Sequence, residues 1–181
     1  MRSGMVLLFI ASPLCAQDGG WVREWERAQK ERPATIASVG RIAPAGEPGT
    51  PMVVHGRVLR NDGVTPAPDV VVFAYQTDAG GVYNRNGARG WRLRGWARSD
   101  AEGRFELRTI RPGSYPRGRT PAHIHVTIDG PGLPRRWTEE IRFADDPLLP
   151  ERERRGALQV TTRGGVQHVD YIIRITDQGR F

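Results

Sequence analysis

Short runs of strand-forming residues, each closed by a turn signal, set the first limit on this fold. Val53 to Arg60 ends at Asn61-Asp62-Gly63, and Pro66 to Pro68 connects it to the run Val70 to Tyr75. Trp91 to Arg98 passes through Ser99-Asp100-Ala101-Glu102-Gly103 into Arg104 to Thr109, where Phe105 and Leu107 alternate with charged neighbours. That two-residue period belongs to a strand with one dry face and one wetter face. Further runs cover Ala122 to Ile128, Thr138 to Phe143, Leu158 to Thr161 and Val166 to Thr176, the last with Val169, Tyr171, Ile173 and Ile175 on one face. About eight short, mainly antiparallel strands divided by turns predict an all-β fold, a single β-sandwich domain. The 22 glycines and 14 prolines disfavour long helices, and 181 residues suit one domain.

The beginning reads differently. Arg2 precedes the apolar run Met5 to Ala11, and Ser12-Pro13-Leu14-Cys15-Ala16 follows, which reads as a secretory signal over residues 1–16 cut near Ala16. The expectation is an exported protein, periplasmic or extracellular, with no integral membrane segment, because the apolar run is far short of the roughly 20 residues that span a bilayer. Leu14 before Cys15 fits lipidation poorly. Cleavage there removes the one cysteine and leaves no disulfide to staple the fold. Residues 17–51 read as a helix and an arm. Gly20 to Arg32 carries Trp21, Val22, Trp25 and Ala28 at helical spacing and stops at Pro33, while Thr35 to Pro51 is Gly/Pro/Ala-rich and extended. The tryptophans either cover the chain's own sandwich, the favoured reading, or pair two copies, so monomer and homodimer both stand. The sandwich itself is expected over residues 52–181.

The net charge of +7 is almost wholly arginine, since Lys30 is the one lysine. The arginines are interspersed with acids, and no nucleic-acid-binding motif accompanies them, so no nucleic acid partner is expected. An anionic small substrate suits this charge. No repeat, glycine-rich nucleotide loop or coiled-coil heptad stands out.

One stretch carries chemistry. From Pro112 to Thr120 a loop stiffened by proline and glycine runs into a strand containing His123-Ile124-His125. Alternation puts His123 and His125 on one face and Ile124, Val126 and Ile128 on the other. Alone, the pair fits zinc, copper or manganese, or two hydrogen-bonded histidines at the edge of a core. Tyr115 lies just upstream, and Tyr83 sits in the glycine-rich loop after Val70 to Tyr75. Two phenols with two imidazoles suit ferric iron, because phenolate is a hard anionic donor and imidazole completes a mixed N/O set. His55 and His168 have no comparable cluster and read as structural. Asp145-Asp146 before Pro147 reads as a turn or helix start, Pro150 to Gly156 as a charged surface loop. Asn84 to Arg94, with Arg85, Arg89, Arg92 and Trp91, reads either as a pocket entrance or as a solvated loop with Trp91 packed inward.

Over about Val53 to Pro147 the chain resembles the intradiol ring-cleaving catechol dioxygenases, the family of the catechol, hydroxyquinol and protocatechuate enzymes. The blocks that carry the resemblance are Ser99-Asp100-Ala101-Glu102-Gly103-Arg104-Phe105, Thr109-Ile110-Arg111-Pro112-Gly113-Ser114-Tyr115-Pro116, Pro121-Ala122-His123-Ile124-His125 and Ile141-Arg142-Phe143-Ala144-Asp145-Asp146-Pro147. The resemblance implies one Fe³⁺ per chain held by Tyr83, Tyr115, His123 and His125, with Tyr115 and His125 axial and Tyr83 and His123 equatorial. It implies a catechol and O₂ as substrates, displacement of Tyr115 by the bound diol, and a cis,cis-muconate-type diacid that contains both oxygen atoms.

Two positions depart from the family pattern. Thr120 stands where the family carries an anion-stabilising arginine, with Arg119 one residue earlier, and Glu140 stands where it carries glutamine. Tyr115, Arg119, Thr120 and Glu140 are therefore the candidate catalytic residues. A carboxylate beside a catechol dianion is unfavourable unless paired, and Arg117, Arg119 and Arg142 are the partners within reach along the chain. The alternatives are a carbohydrate- or protein-binding β-sandwich without turnover, and a different metal enzyme using His123 and His125.

Overall fold

A computed structural model of the chain describes residues 19–84, 90–118 and 120–175; the expected signal segment, Arg85, Arg89 and Arg119 lie outside the described residues. Among the described residues, ten strands form two five-stranded sheets. The first runs β1 (Val39–Arg41), β5 (Arg104–Ile110), β2 (Pro51–Leu59), β10 (Val166–Arg174), β9 (Thr161–Arg163). The second runs β4 (Leu93–Arg98), β3 (Val71–Gln76), β6 (His123–Gly130), β7 (Leu133–Trp137), with β8 (Ile141–Arg142) also on β6. Pairing is antiparallel except β1 with β5 and β10 with β2.

The predicted alternation builds the core. Val54, Val58, Phe105, Leu107, Val169, Tyr171 and Ile173 of the first sheet meet Val72, Ala74, Leu93, Ala97, Ile124, Val126 and Ile128 of the second. On its outward face the second sheet carries Phe73, Tyr75 and Trp96, and these too are covered. Helix α1 (Gly19–Lys30) lays Trp25 and Ala28 on them, so the helix shields its own domain, as favoured from the sequence. The Trp21 side chain lies outside what the structure describes. Arg135 caps Trp25 at 4.4 Å, and Arg32 pairs with Asp129 at 2.7 Å, which pins the helix end to β6.

Several element boundaries differ from the sequence expectation. The arm from Thr35 to Pro51 contains β1, and Ile42 and Ala43 are core residues, so the sandwich begins before residue 52. Gly40 permits this, because a Cβ there would stand 2.0 Å from the Trp96 carbonyl oxygen. β7 hides behind Pro134, which an edge strand tolerates. Only Ile141–Arg142 of the expected strand Thr138 to Phe143 is regular. Leu158 bridges Phe143, with β9 starting at Thr161, and the expected loop Pro150 to Gly156 contains the one-turn helix α2 (Glu151–Arg154). His55 and His168 bond each other at 3.0 Å on the first sheet. Among the described residues no helix is long and apolar enough to cross a membrane.

Candidate metal centre

Two loops and one strand bring four donors together. On β6, His123 and His125 point outward while Ile124 and Val126 enter the core. The start of this strand is held by Asp146, whose buried carboxylate accepts from the Ala122 N–H at 2.7 Å and the Leu148 N–H at 2.8 Å. The predicted turn role of Asp146 thus includes anchoring the histidine strand, and Asp145 pairs with Arg111 at 2.8 Å.

Tyr83 and Tyr115 arrive on loops that touch backbone to backbone. Gly81, at φ +79°, lies where a Cβ would stand 1.8 Å from the Ser114 carbonyl oxygen, and a Cβ on Gly113 would meet the Ala79 oxygen at 2.5 Å. Buried Asp78 sits between the loops. Its carbonyl accepts from Gly81 (3.0 Å) and Gly113 (2.8 Å), and its carboxylate accepts from Gly80 (2.9 Å) and Val82 (3.2 Å). Thr77 Oγ1 donates to the Gly113 carbonyl at 2.8 Å, and Gln76 Nε2 to that of Ile110 at 2.9 Å. Gln76, Thr77 and Asp78 were not singled out in the sequence. The one signal was the Asp78-Ala79-Gly80-Gly81 turn pattern, in which an aspartate bonds the backbone just ahead of it.

The four donors close a ring. Tyr83 Oη lies 2.6 Å from Tyr115 Oη and 2.9 Å from His125 Nε2; Tyr115 Oη lies 3.2 Å from His123 Nε2; the two Nε2 atoms are 3.0 Å apart. Tyr115 therefore stands across the ring from His125, and Tyr83 across from His123. Both imidazoles aim Nε2 inward because Nδ1 is engaged elsewhere, His123 on the Pro121 carbonyl at 2.8 Å and His125 on Glu140 Oε1 at 3.1 Å. With Nδ1 carrying the proton, each Nε2 is a bare lone pair. The two Nε2 lone pairs then face one another at 3.0 Å, an arrangement that a cation at the centre would satisfy. The spacing also fits one: donors at right angles on an ion with bonds of about 2.0–2.1 Å are separated by about 2.9 Å.

Aromatic packing fixes the His125 ring. It stacks on Tyr75 at 4.5 Å, and Tyr75 stacks on Trp91 at 3.7 Å, so Trp91 is packed inward. Arg92 is bound by Glu47, at 2.5 and 2.7 Å, which favours the solvated-loop reading for the described part of residues 84–94.

Burial raises the pKa of the Tyr83 phenol far above its ordinary value and that of Tyr115 in the same direction. Burial, and then the neighbouring His125, lowers that of His123. Glu140 goes the other way. Its bond to His125, with Arg142 adding to it, holds the carboxyl at about 2, so it is ionised. Arg142 is its partner among the described arginines, at 3.1 Å. His123, His125 and Glu140 also group as possible metal ligands. Glu140 nevertheless meets His125 at Nδ1, on the side of the ring facing away from the convergent Nε2 atoms, so it stands outside the ring of four donors. Thr120 is half-buried ahead of the strand, and Arg119 lies outside the described residues.

A family model described as Dioxygenase matches residues 30–159, more than half of the chain. The chain belongs to the intradiol ring-cleavage dioxygenase family. Among characterised relatives, the protocatechuate 3,4-dioxygenase beta chain of Burkholderia cepacia is 36% identical over 123 residues, which is 58% of this chain and 49% of that one. Catechol 1,2-dioxygenase 2 of Acinetobacter lwoffii is 31% identical over 127 residues, 60% of this chain and 46% of that one. The chain thus spans about half the length of the curated relatives it matches. The dioxygenase domain of a dioxygenase carbohydrate-binding protein fusion from Streptomyces sp. SirexAA-E shares the fold with a TM-score of 0.61 and 28% identity, covering 75% of this chain and 85% of that domain. Membership in the family and a cluster of metal-binding character in the expected place agree.

Proposed function

We propose that the protein is an exported non-haem Fe(III) dioxygenase that cleaves a catechol-type diol between its two hydroxylated carbons, adding both atoms of O₂ to give a cis,cis-muconate-type diacid. The observation that carries this reading is the closed ring of Tyr83, Tyr115, His123 and His125, with separations of 2.6 to 3.2 Å. Two phenolates and two neutral imidazoles match a hard trivalent ion, one per chain. When bound, ferric iron supplies Lewis acidity and a template for both diol oxygens.

The residues divide the remaining work. His123 and His125 are oriented through Pro121 and Glu140, so neither needs to turn to present Nε2. Tyr83 is the more deeply packed phenol, set against Tyr75 and Trp91, and it remains in place. Tyr115 sits on the stiff loop, and its Oη would be the group to take up one diol proton if the diol took its place. Burial favours that neutral phenol once it is free of the metal. Arg119 and Thr120, on the segment between Tyr115 and His123, are the candidates for contacting the substrate. Export rests on the apolar run Met5 to Ala11 and its flanks.

Iron-loaded protein is expected to be deep red from tyrosinate-to-iron charge transfer, with the colour lost in Tyr83→Phe or Tyr115→Phe. Plain, hydroxylated, carboxylated and larger catechols should be tested for O₂ uptake and ring-opened products. A colourless protein that binds zinc and ignores every catechol overturns the assignment.

A further inference from the structure

The two histidines of the ring are backed differently. His123 Nδ1 donates to a neutral carbonyl, that of Pro121, whereas His125 Nδ1 meets a carboxylate, Glu140 Oε1, at 3.1 Å. Glu140 is held from behind. Arg142 reaches its Oε2 through Nη2 (3.1 Å) and Nε (3.3 Å), and Glu153 in turn binds Arg142 Nη1 at 2.6 Å.

The backbone is shaped to deliver this carboxylate. Thr127 pairs with Trp137 and Ile124 with Ile141, so a step of three residues along β6 is matched by four on the facing chain. The extra residue makes a bulge over Thr138, Glu139 and Glu140, and bulges beside functional sites re-aim side chains. Thr138 anchors it through N and Oγ1 to the Val126 carbonyl (3.1 and 3.2 Å), and Tyr171 Oη, from the other sheet, donates to the Glu139 carbonyl at 2.6 Å.

Resting on the ferric reading above, we propose that Glu140 is a positioning residue for the iron: through His125 it raises electron donation to the metal and holds it in the ferric state against its reducing catechol substrate. A carboxylate that accepts from Nδ1–H draws that proton toward itself and makes Nε2 a stronger donor. A richer iron is harder to reduce and accepts charge from tyrosinate at higher energy. The asymmetry confines this effect to His125.

The test compares iron-loaded wild type with Glu140→Gln, Glu140→Asp and Arg142→Gln, each checked for folding by circular dichroism. In Glu140→Gln the charge-transfer band is expected to move to longer wavelength by on the order of tens of nanometres, and competition with a chelator to show Fe³⁺ affinity reduced roughly ten- to hundred-fold. The reduction potential should rise, and anaerobic catechol should bleach this variant faster than wild type. Glu140→Asp should recover part of the wild-type spectrum, and Arg142→Gln, which removes the cation that draws charge from Glu140, should shift the band to shorter wavelength. A band and affinity unchanged in folded Glu140→Gln overturn this inference and leave the ferric reading standing, as does complete loss of iron, which would make Glu140 a ligand. A wild type that takes up iron without any tyrosinate band overturns the ferric reading itself.

Discussion

Tyr83 and Tyr115, thirty-two positions apart in the chain, meet with their phenolic oxygens 2.6 Å apart and share an edge-to-face ring contact at 5.8 Å. Neither loop forms this contact alone. Gly81 and Gly113 let the two backbones touch, and Asp78 bonds to both. The phenols then stand over the two histidines of β6, which the sheet holds rigidly.

This arrangement makes metal uptake a proton-releasing event. Both phenol pKa values are raised, so the metal-free protein carries both protons at neutral pH. Ferric iron must displace them, with about two protons released per iron from the tyrosines and affinity rising with pH. Potentiometric titration of the apoprotein with iron measures this directly. Tyr83→Phe should release one proton fewer.

Gly81→Ala should lose the metal centre before it loses the fold. A side chain at φ +79° is strained by about 1–3 kcal/mol, and its Cβ would also collide with the Ser114 carbonyl, forcing the two tyrosine loops apart. Gly132→Ala is the control: its φ is +69°, but nothing lies within 4 Å. Urea unfolding should show a loss for both, and the iron colour should fade only for Gly81→Ala.

Asp146→Ala should destabilise the sandwich by about 1–3 kcal/mol, since it leaves the Ala122 and Leu148 N–H groups without their acceptor. Ala122 is buried immediately before His123, so iron retention should fall with stability. Thermal melts with and without iron separate the two effects: the stabilisation conferred by the metal should shrink relative to wild type.

Trp91→Ala removes the outer ring of the Trp91–Tyr75–His125 stack and is expected to reduce unfolding free energy by about 3–5 kcal/mol. With Tyr75 free to shift, His125 loses a wall. Trp91→Phe should recover most of the stability. Chemical denaturation of the three proteins, followed by circular dichroism, gives the comparison.

Much of the fold was legible because strand periodicity is a local property. The alternation through Ile124, Val126 and Ile128 marked one face of β6 for the core, and Val169, Tyr171 and Ile173 did the same for β10; both faces are buried as read. β1 and β7 were not legible. One is three residues with Gly40 at their centre in a Gly/Ala-rich arm, the other carries a proline and two arginines, and each becomes a strand only because an edge offers hydrogen bonds to complete. The expected strand over Thr138 to Phe143 broke for a similar reason: the four-for-three match opposite β6 arises from pairing, which no local pattern records.

By itself the sequence determined which donors this protein has and which of them share a strand face: two histidines at alternating positions and two tyrosines in loops punctuated by glycine and proline. Side-chain direction along a strand follows from backbone geometry, so that much needs no partner. Only the tertiary structure decided that Tyr83 reaches Tyr115, that both Nε2 atoms face inward, and that Glu140 supports His125 from behind while Arg142 holds its charge. Each depends on contacts between segments far apart in the chain: glycine against backbone, one sheet's tyrosine on the other's bulge, a carboxylate set by one extra residue.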